Sequence, residues 1–202
     1  MTQRLRAIIL NRKPAADDSL YLDTLLENGE FGAFKIPGIL KSAKRSSFHY
    51  APGVMYEVIF SAAPAPGQRV IPKSSELVFS PYSESQDYQL LSAVAEIVQI
   101  AVFVKGSPDN AALFALMAET LRHTARAQPA DQHLDAYYWN FLGFLGLAAE
   151  AEPEAEYAAY DLATGFLTQR ELSERPRGDF LLPYPVRGAA ARETIRRFLK
   201  NL

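Results

Sequence analysis

The chain has 202 residues, 49% of them hydrophobic and 22% charged, with a formal net charge of −2; that is room for one or two domains with a real apolar core. It contains no cysteine, which excludes a disulfide framework, a Cys-ligated zinc site and a thiol nucleophile. The N-terminal apolar stretch, Ala7 to Leu10, is too short for a signal-peptide core. No run approaches the roughly 20 apolar residues of a spanning helix, so a cytoplasmic protein without a membrane partner is expected.

In chain order, the first 80 residues read as β-rich. Arg4 to Arg12 is an aliphatic, β-branched run ended by Pro14 and Asp17-Asp18. Ser19 to Glu27 alternates in part, with Leu20, Leu22 and Thr24 set against Tyr21, Asp23 and Leu25. Asn28-Gly29 between two apolar segments is a hairpin signal, because both residues tolerate positive φ. Phe31 to Leu40, Val54 to Phe60 and Arg69 to Phe79 supply three further strands, punctuated by Pro37-Gly38 and Pro64-Ala65-Pro66-Gly67. Five short strands with such turns suggest a small barrel of the oligonucleotide/oligosaccharide-binding (OB) type.

After Ser80-Pro81 the period changes. Leu90, Val94, Ile97, Val98 and Ala101 follow the spacing of a buried helix face. Ser107-Pro108-Asp109 restarts a helix with Leu113, Leu116, Met117 and Leu121 inward, and Pro129 opens another with Leu134, Tyr138, Phe141, Leu142 and Leu145 inward. Ala148 to Ala159 reads as a loop or short solvated helix, and Pro176 to Pro185 as irregular. Ala189 to Leu202 closes the chain as a helix. The expected fold is therefore α+β: an N-terminal OB barrel over residues 1–80 and an all-α helical domain over 81–202. Residues 1–76 hold ten Lys/Arg against seven Asp/Glu, and residues 77–202 eleven against sixteen, an asymmetry that suggests separate jobs for the two parts.

Motifs for catalysis are missing from the sequence. There is no Walker loop, HExxH, GxSxG or GxGxxG. His49, His123 and His133 are scattered, with no carboxylate at ligand spacing. Glu150, Glu152, Glu154 and Glu156 read as a solvated acidic loop before a cation site, and the aromatics from Tyr137 to Phe144 as core before a stacking platform. No nucleophile, base and oxyanion donor assemble, so neither an enzyme nor a metal or other cofactor is expected.

One cluster does suggest a ligand. Lys35, Lys41, Lys44 and Arg45 fall within eleven residues, interleaved with glycines, serines and aromatics. Phosphate binding uses that mixture of long cations, accessible backbone N–H groups and short hydroxyl donors. Phe34 and His49, with Phe31, Phe48 and Tyr50, are candidates for base stacking. Phe31 and Phe34 point to opposite faces of a strand, so at most one of them is free to stack. An equal alternative has the phenylalanines filling the barrel while the lysines solvate an edge strand. Arg4, Arg6, Arg12 and Lys13 are further phosphate candidates, Arg4 and Arg6 sharing one strand face. Arg192, Arg196, Arg197 and Lys200 form a second basic group, read first as the favourable placement of cations at a helix C-terminus and only second as a contact to DNA.

The order of these pieces resembles the RecO family. The strand Leu5 to Leu10, an acidic turn, the Leu-rich strand ending in Glu27-Asn28-Gly29, then Gly32 to Gly38 and Lys41 to Ser46 resemble the family's N-terminal barrel. Tyr137 to Leu147 resembles its helix ending in Leu-Gly-aromatic-Leu-Gly, and Tyr160 to Thr168 its later Gly-Phe-Leu-Cys strand. Thr168 stands where the family has a cysteine, and the Glu/Ala segment replaces a cysteine pair, so residues 148–185 read as a cysteine-free remnant of a zinc region. The resemblance implies a DNA repair and recombination mediator without turnover. Such a protein binds single- and double-stranded DNA, anneals strands, and helps load recombinase onto DNA coated by single-strand-binding protein (SSB). Its implied partners are a RecR-type protein, the acidic SSB tail and, indirectly, the recombinase, and its implied place is the nucleoid. The competing expectation is a protein-interaction module that recruits repair partners and binds little DNA itself.

Overall fold

The structure is a computed structural model that describes residues 2–15, 18–38, 49–61, 69–83, 87–103, 110–149, 156–174 and 180–201. The chain divides into two compact units, Met1–Gln132 and His133–Leu202.

The first unit holds β1 (Gln3–Pro14), β2 (Leu20–Leu26), β3 (Phe31–Ile36), β4 (Met55–Phe60), β5 (Arg69–Val70) and β6 (Ser74–Phe79), followed by α1 (Tyr88–Val102) and α2 (Asn110–Thr124). The six strands form one sheet in the order β5-β3-β2-β1-β4-β6. All pairings are antiparallel except that of β3 with β5. The two edge strands, β5 and β6, are separated in the chain by Ile71-Pro72-Lys73 alone. A sheet whose edges are joined by three residues must curl back on itself. Pro72 explains the break in what the sequence suggests is one strand, since it has no N–H to give a ladder.

Side chains fill the inside of this curl. Ala7, Ile9, Leu22, Phe34, Tyr56 and Val58 line a residual cavity of ≈ 10 Å³, room for one water at most. A ligand must therefore use the outside. The helices cover part of that outside. Ala7 to Leu10 are all buried; Ala7 and Ile9 face the interior, which leaves Ile8 and Leu10 on the other face, and α1 packs against β1. Two glycines allow the close approach. Gly29, in the β2–β3 turn at φ +86°, would carry a Cβ 2.7 Å from the Ala111 nitrogen. Gly53, at φ +83°, would carry one 2.5 Å from Val94 Cγ1. Asp87 starts α1 by accepting the Leu90 N–H at 2.7 Å, an ordinary N-cap. The predicted α1 face, Leu90, Val94, Ile97, Val98 and Ala101, is buried throughout. The compact first unit thus takes in two helices that the sequence division at residue 80 assigns to the second domain.

The second unit holds α3 (Leu134–Phe144), β7 (Ala159–Asp161), β8 (Gly165–Leu167), α4 (Gln169–Glu174), β9 (Leu181–Pro183) and α5 (Gly188–Leu199). It is not all-helical, because β8-β7-β9 form a second antiparallel sheet. Asp161 makes the β7–β8 turn, its Oδ1 accepting the N–H groups of Ala163 (2.8 Å) and Thr164 (3.1 Å). Tyr160, 1% exposed, packs edge-on to Trp139 at 5.1 Å and to Phe166 at 4.9 Å. Tyr137, Tyr138 and Phe141 of α3 are core, as their helical spacing suggests, while Trp139 and Phe144 are half-buried. None of the helices among the described residues is long and apolar enough to cross a membrane.

Candidate nucleic-acid interface

Cross-strand register decides which of the first unit's cations share a face. A register shift between Ile9 and Asn11 moves the odd-numbered residues of β1 from the inner to the outer face, so that Lys13 is paired with Tyr21 on β2, and Tyr21 with Lys35 on β3. Paired residues point to the same side of a sheet, so Lys13, Tyr21 and Lys35 form one row across three strands. The next row on that face is Asn11, Asp23, Ala33 and Arg69, from β1, β2, β3 and β5. Arg69 reaches diagonally past the small Ala33 and lays its guanidinium over the Tyr21 ring, 3.9 Å from the centroid. Two lysines and an arginine therefore surround one half-exposed tyrosine. The single carboxylate in these two rows, Asp23, accepts from Asn11 Nδ2 at 3.2 Å.

The other sequence-predicted residues are placed differently. Arg4 pairs with Glu57 at 3.4 Å, and Arg6 with Glu27 at 2.7 Å. The Arg6 backbone N–H also donates to Glu27, and its guanidinium lies 5.9 Å from the centre of the Phe114 ring. Both arginines do share a face, but each already has a carboxylate on it. Arg12 is paired with Leu22 and so faces away from the Lys13 row, donating from Nη1 to the His49 carbonyl at 3.3 Å. His49 is half-buried, its ring hydrogen-bonded to the Tyr56 hydroxyl at 3.0 Å and edge-on to Tyr50 at 4.4 Å. Phe34 is 1% exposed and packs on Phe60 at 5.9 Å. It is a core residue, not a base-stacking one, because alternation along β3 turns it inward. Lys41, Lys44 and Arg45 lie outside the described residues.

In the second unit, the basic group on α5 is largely committed to structure. Arg192, its side chain 9% exposed, meets Asp135 at 2.5 Å. Asp135 also accepts the Gly188 N–H at the start of α5, at 2.9 Å. Arg196 pairs with Glu193 at 2.9 Å, and Arg197 donates to the Thr194 hydroxyl.

Tyr21 and Arg69 are the residues that sequence reasoning missed. Tyr21 was legible as an outward residue of β2; what it meets was not. No group of three His, Asp or Glu side chains that could hold a metal occurs among the described residues. Open clefts occur among the described residues. One, of ≈ 600 Å³, includes Asp87, Thr124 and Arg126; another, of ≈ 780 Å³, includes Trp139, Phe166 and Tyr184. Compared with known proteins, the chain matches no family model and no curated sequence.

Proposed function

We propose that this chain is a divergent RecO-like mediator of DNA repair and recombination whose first unit is an OB-type barrel that binds DNA. The strand order supports the barrel reading. If β5 and β6 are taken as one bent strand, β1 is shared between β2 and β4, and the last strand runs parallel to β3 and returns antiparallel to β4. Barrels of this type use the outer face around their second and third strands for oligonucleotides. The observation that carries the reading is the row Lys13–Tyr21–Lys35 with Arg69 beside it, on that face. Cations there neutralise phosphates, and neutralising two strands at once lowers the repulsion that opposes annealing. The work is binding without turnover, on single- and double-stranded DNA, in the cytoplasm at the nucleoid. A RecR-type protein, the SSB tail and, indirectly, the recombinase are the partners this role requires. Lys41, Lys44 and Arg45 follow within ten residues of Lys35 in the sequence and add to the positive charge of this stretch.

The test is a fluorescence-anisotropy titration of labelled oligo-dT at several salt concentrations. Three or four cations on single-strand phosphates give a slope of log K against log[salt] of about −2 to −3. The double variant Lys13→Ala/Lys35→Ala should weaken binding and flatten the slope by about 1.4, at roughly 0.7 per contact. A salt-independent affinity, or a double variant that binds like the parent, overturns the assignment and favours the protein-interaction module.

A further inference from the structure

The interface face has a built asymmetry that phosphate binding alone does not use. Lysines stand at both ends of a three-residue row, and the middle position is an aromatic ring carrying a guanidinium on its face, 3.9 Å from the centroid. An arginine on a tyrosine face is attracted by the ring quadrupole, and a separation of 3.9 Å suits the plane-on-plane stacking that guanidinium groups make with aromatic rings. A guanidinium stacked in this way presents its second planar face outward. Only a planar partner with an available π-face can use that surface.

We infer that the Tyr21–Arg69 stack selects unpaired bases, so that this face discriminates single strands from duplex; the inference rests on the DNA-binding reading above. In a duplex each base has its faces covered by its neighbours, and the protein meets phosphates alone. In a single strand a base can turn outward and extend the stack, as bases do on aromatic and arginine planes. The flanking lysines suit that arrangement. Lys13 and Lys35 sit two strand spacings apart, about 9–10 Å, one on either side of Tyr21. A base on the central stack leaves the phosphates before and after it within reach of one ammonium each. Asp23 fixes the path from the other side. Its carboxylate lies in the neighbouring row, beside Asn11 and Ala33, and repels a backbone that strays from the Lys13–Lys35 line. Arg69 therefore has a role its charge alone does not describe: it is the plane on which the base rests.

The test separates plane from charge by measuring oligo-dT and a blunt hairpin duplex side by side, with Tyr21→Leu and Arg69→Lys. Arg69→Lys keeps the charge and loses the plane. Each variant should lower oligo-dT affinity by about 5- to 150-fold, the usual loss for one stacked base. Duplex affinity should fall less than oligo-dT affinity in each variant, so that the preference for single strands drops, while Arg69→Lys, which keeps the charge, should leave the salt slope as it is in the parent. A 2-aminopurine placed in the oligonucleotide should be quenched by the parent protein and less by either variant. Equal losses on both DNA forms, or no loss on oligo-dT, overturn the inference while leaving DNA binding intact. A parent protein that binds neither DNA at low salt removes the DNA-binding reading itself, and the inference with it. Tyr21 and Arg69 are surface side chains; should Tyr21→Leu fold poorly by thermal melting, the exposed Arg69→Lys decides the question.

Discussion

Replacing Asp135 with alanine tests whether the α5 cations are structural. Two effects add. The Arg192 guanidinium, 9% exposed in its side chain, loses the carboxylate that sits 2.5 Å away. Removing one member of a buried pair costs about 3–5 kcal/mol; Asp135 is itself 31% exposed, and solvent screening brings the loss below that range, to about 2–3 kcal/mol. The Gly188 N–H at the start of α5 loses its acceptor as well, worth about 1 kcal/mol for a helix N-terminus. The expected cost is therefore about 3–4 kcal/mol, a large share of the 5–15 kcal/mol that usually holds a domain together. The single tryptophan, Trp139, reports on it directly, being packed in the second unit against Tyr160 and Phe166. Urea unfolding followed by its fluorescence should show a lower midpoint at unchanged slope. Glu174→Ala, which breaks the exposed Arg170–Glu174 pair, should cost less than about 1 kcal/mol. Adding Arg192→Met to the Asp135 variant should recover part of the loss, since no charge is then left stranded. A loss below about 1 kcal/mol for Asp135→Ala would refute the reasoning and return Arg192 to the list of DNA-binding candidates.

Two further outcomes follow from the first unit. Gly53→Ala puts a Cβ 2.5 Å from Val94 Cγ1 at a backbone φ of +83°; left-handed strain and overpacking together should cost about 2–4 kcal/mol, read as a lower Tm, with Val94→Ala restoring the steric part. Tyr82 donates to the Pro52 carbonyl at 2.7 Å, and burial, partly offset by Arg12, pushes its hydroxyl up to about 12. A pKa raised on folding favours the protonated form, so this group's stabilisation is complete below pH ~10 and lost as the pH rises through ~12. Tyr82→Phe should be less stable near neutral pH by about 1 kcal/mol and should lose less than the parent between pH ~10 and ~12; parallel stability curves across that window would contradict the assignment.

The sequence carries the strands of the six-stranded sheet because their cues are local. The β-branched run of β1, the Asn28-Gly29 turn and the alternation of β2 and β3 each name an element on their own. The helix face from Leu90 to Ala101 is equally plain. What was hidden depends on pairing over distance. Strands of three residues, such as β7 to β9, are too short to show alternation, so the second unit reads as helical. The adherence of α1 and α2 to the sheet is foreshadowed only by Ala7 to Leu10, a strand segment apolar on both faces. Within the interface, the hairpin centred on Asn28 does hold a signal. Tyr21 and Lys35 lie seven residues to either side of it, and that equality is their observed register. Arg69 has no such clue. It comes from a parallel pairing across a long connection, and nothing local predicts which ring its guanidinium will meet.

Gly29 and Gly53 have a consequence for how the protein can be cut. Because each lets a helix backbone or side chain come within a side chain's width of the sheet, the sheet's outward aliphatic surface exists to be covered. A fragment ending near residue 83 would leave Ile8 and Leu10 facing water, a sticky exterior on an otherwise intact curl. The smallest piece expected to stay monomeric and behave in titrations therefore runs to about residue 132, and truncation mapping should start there.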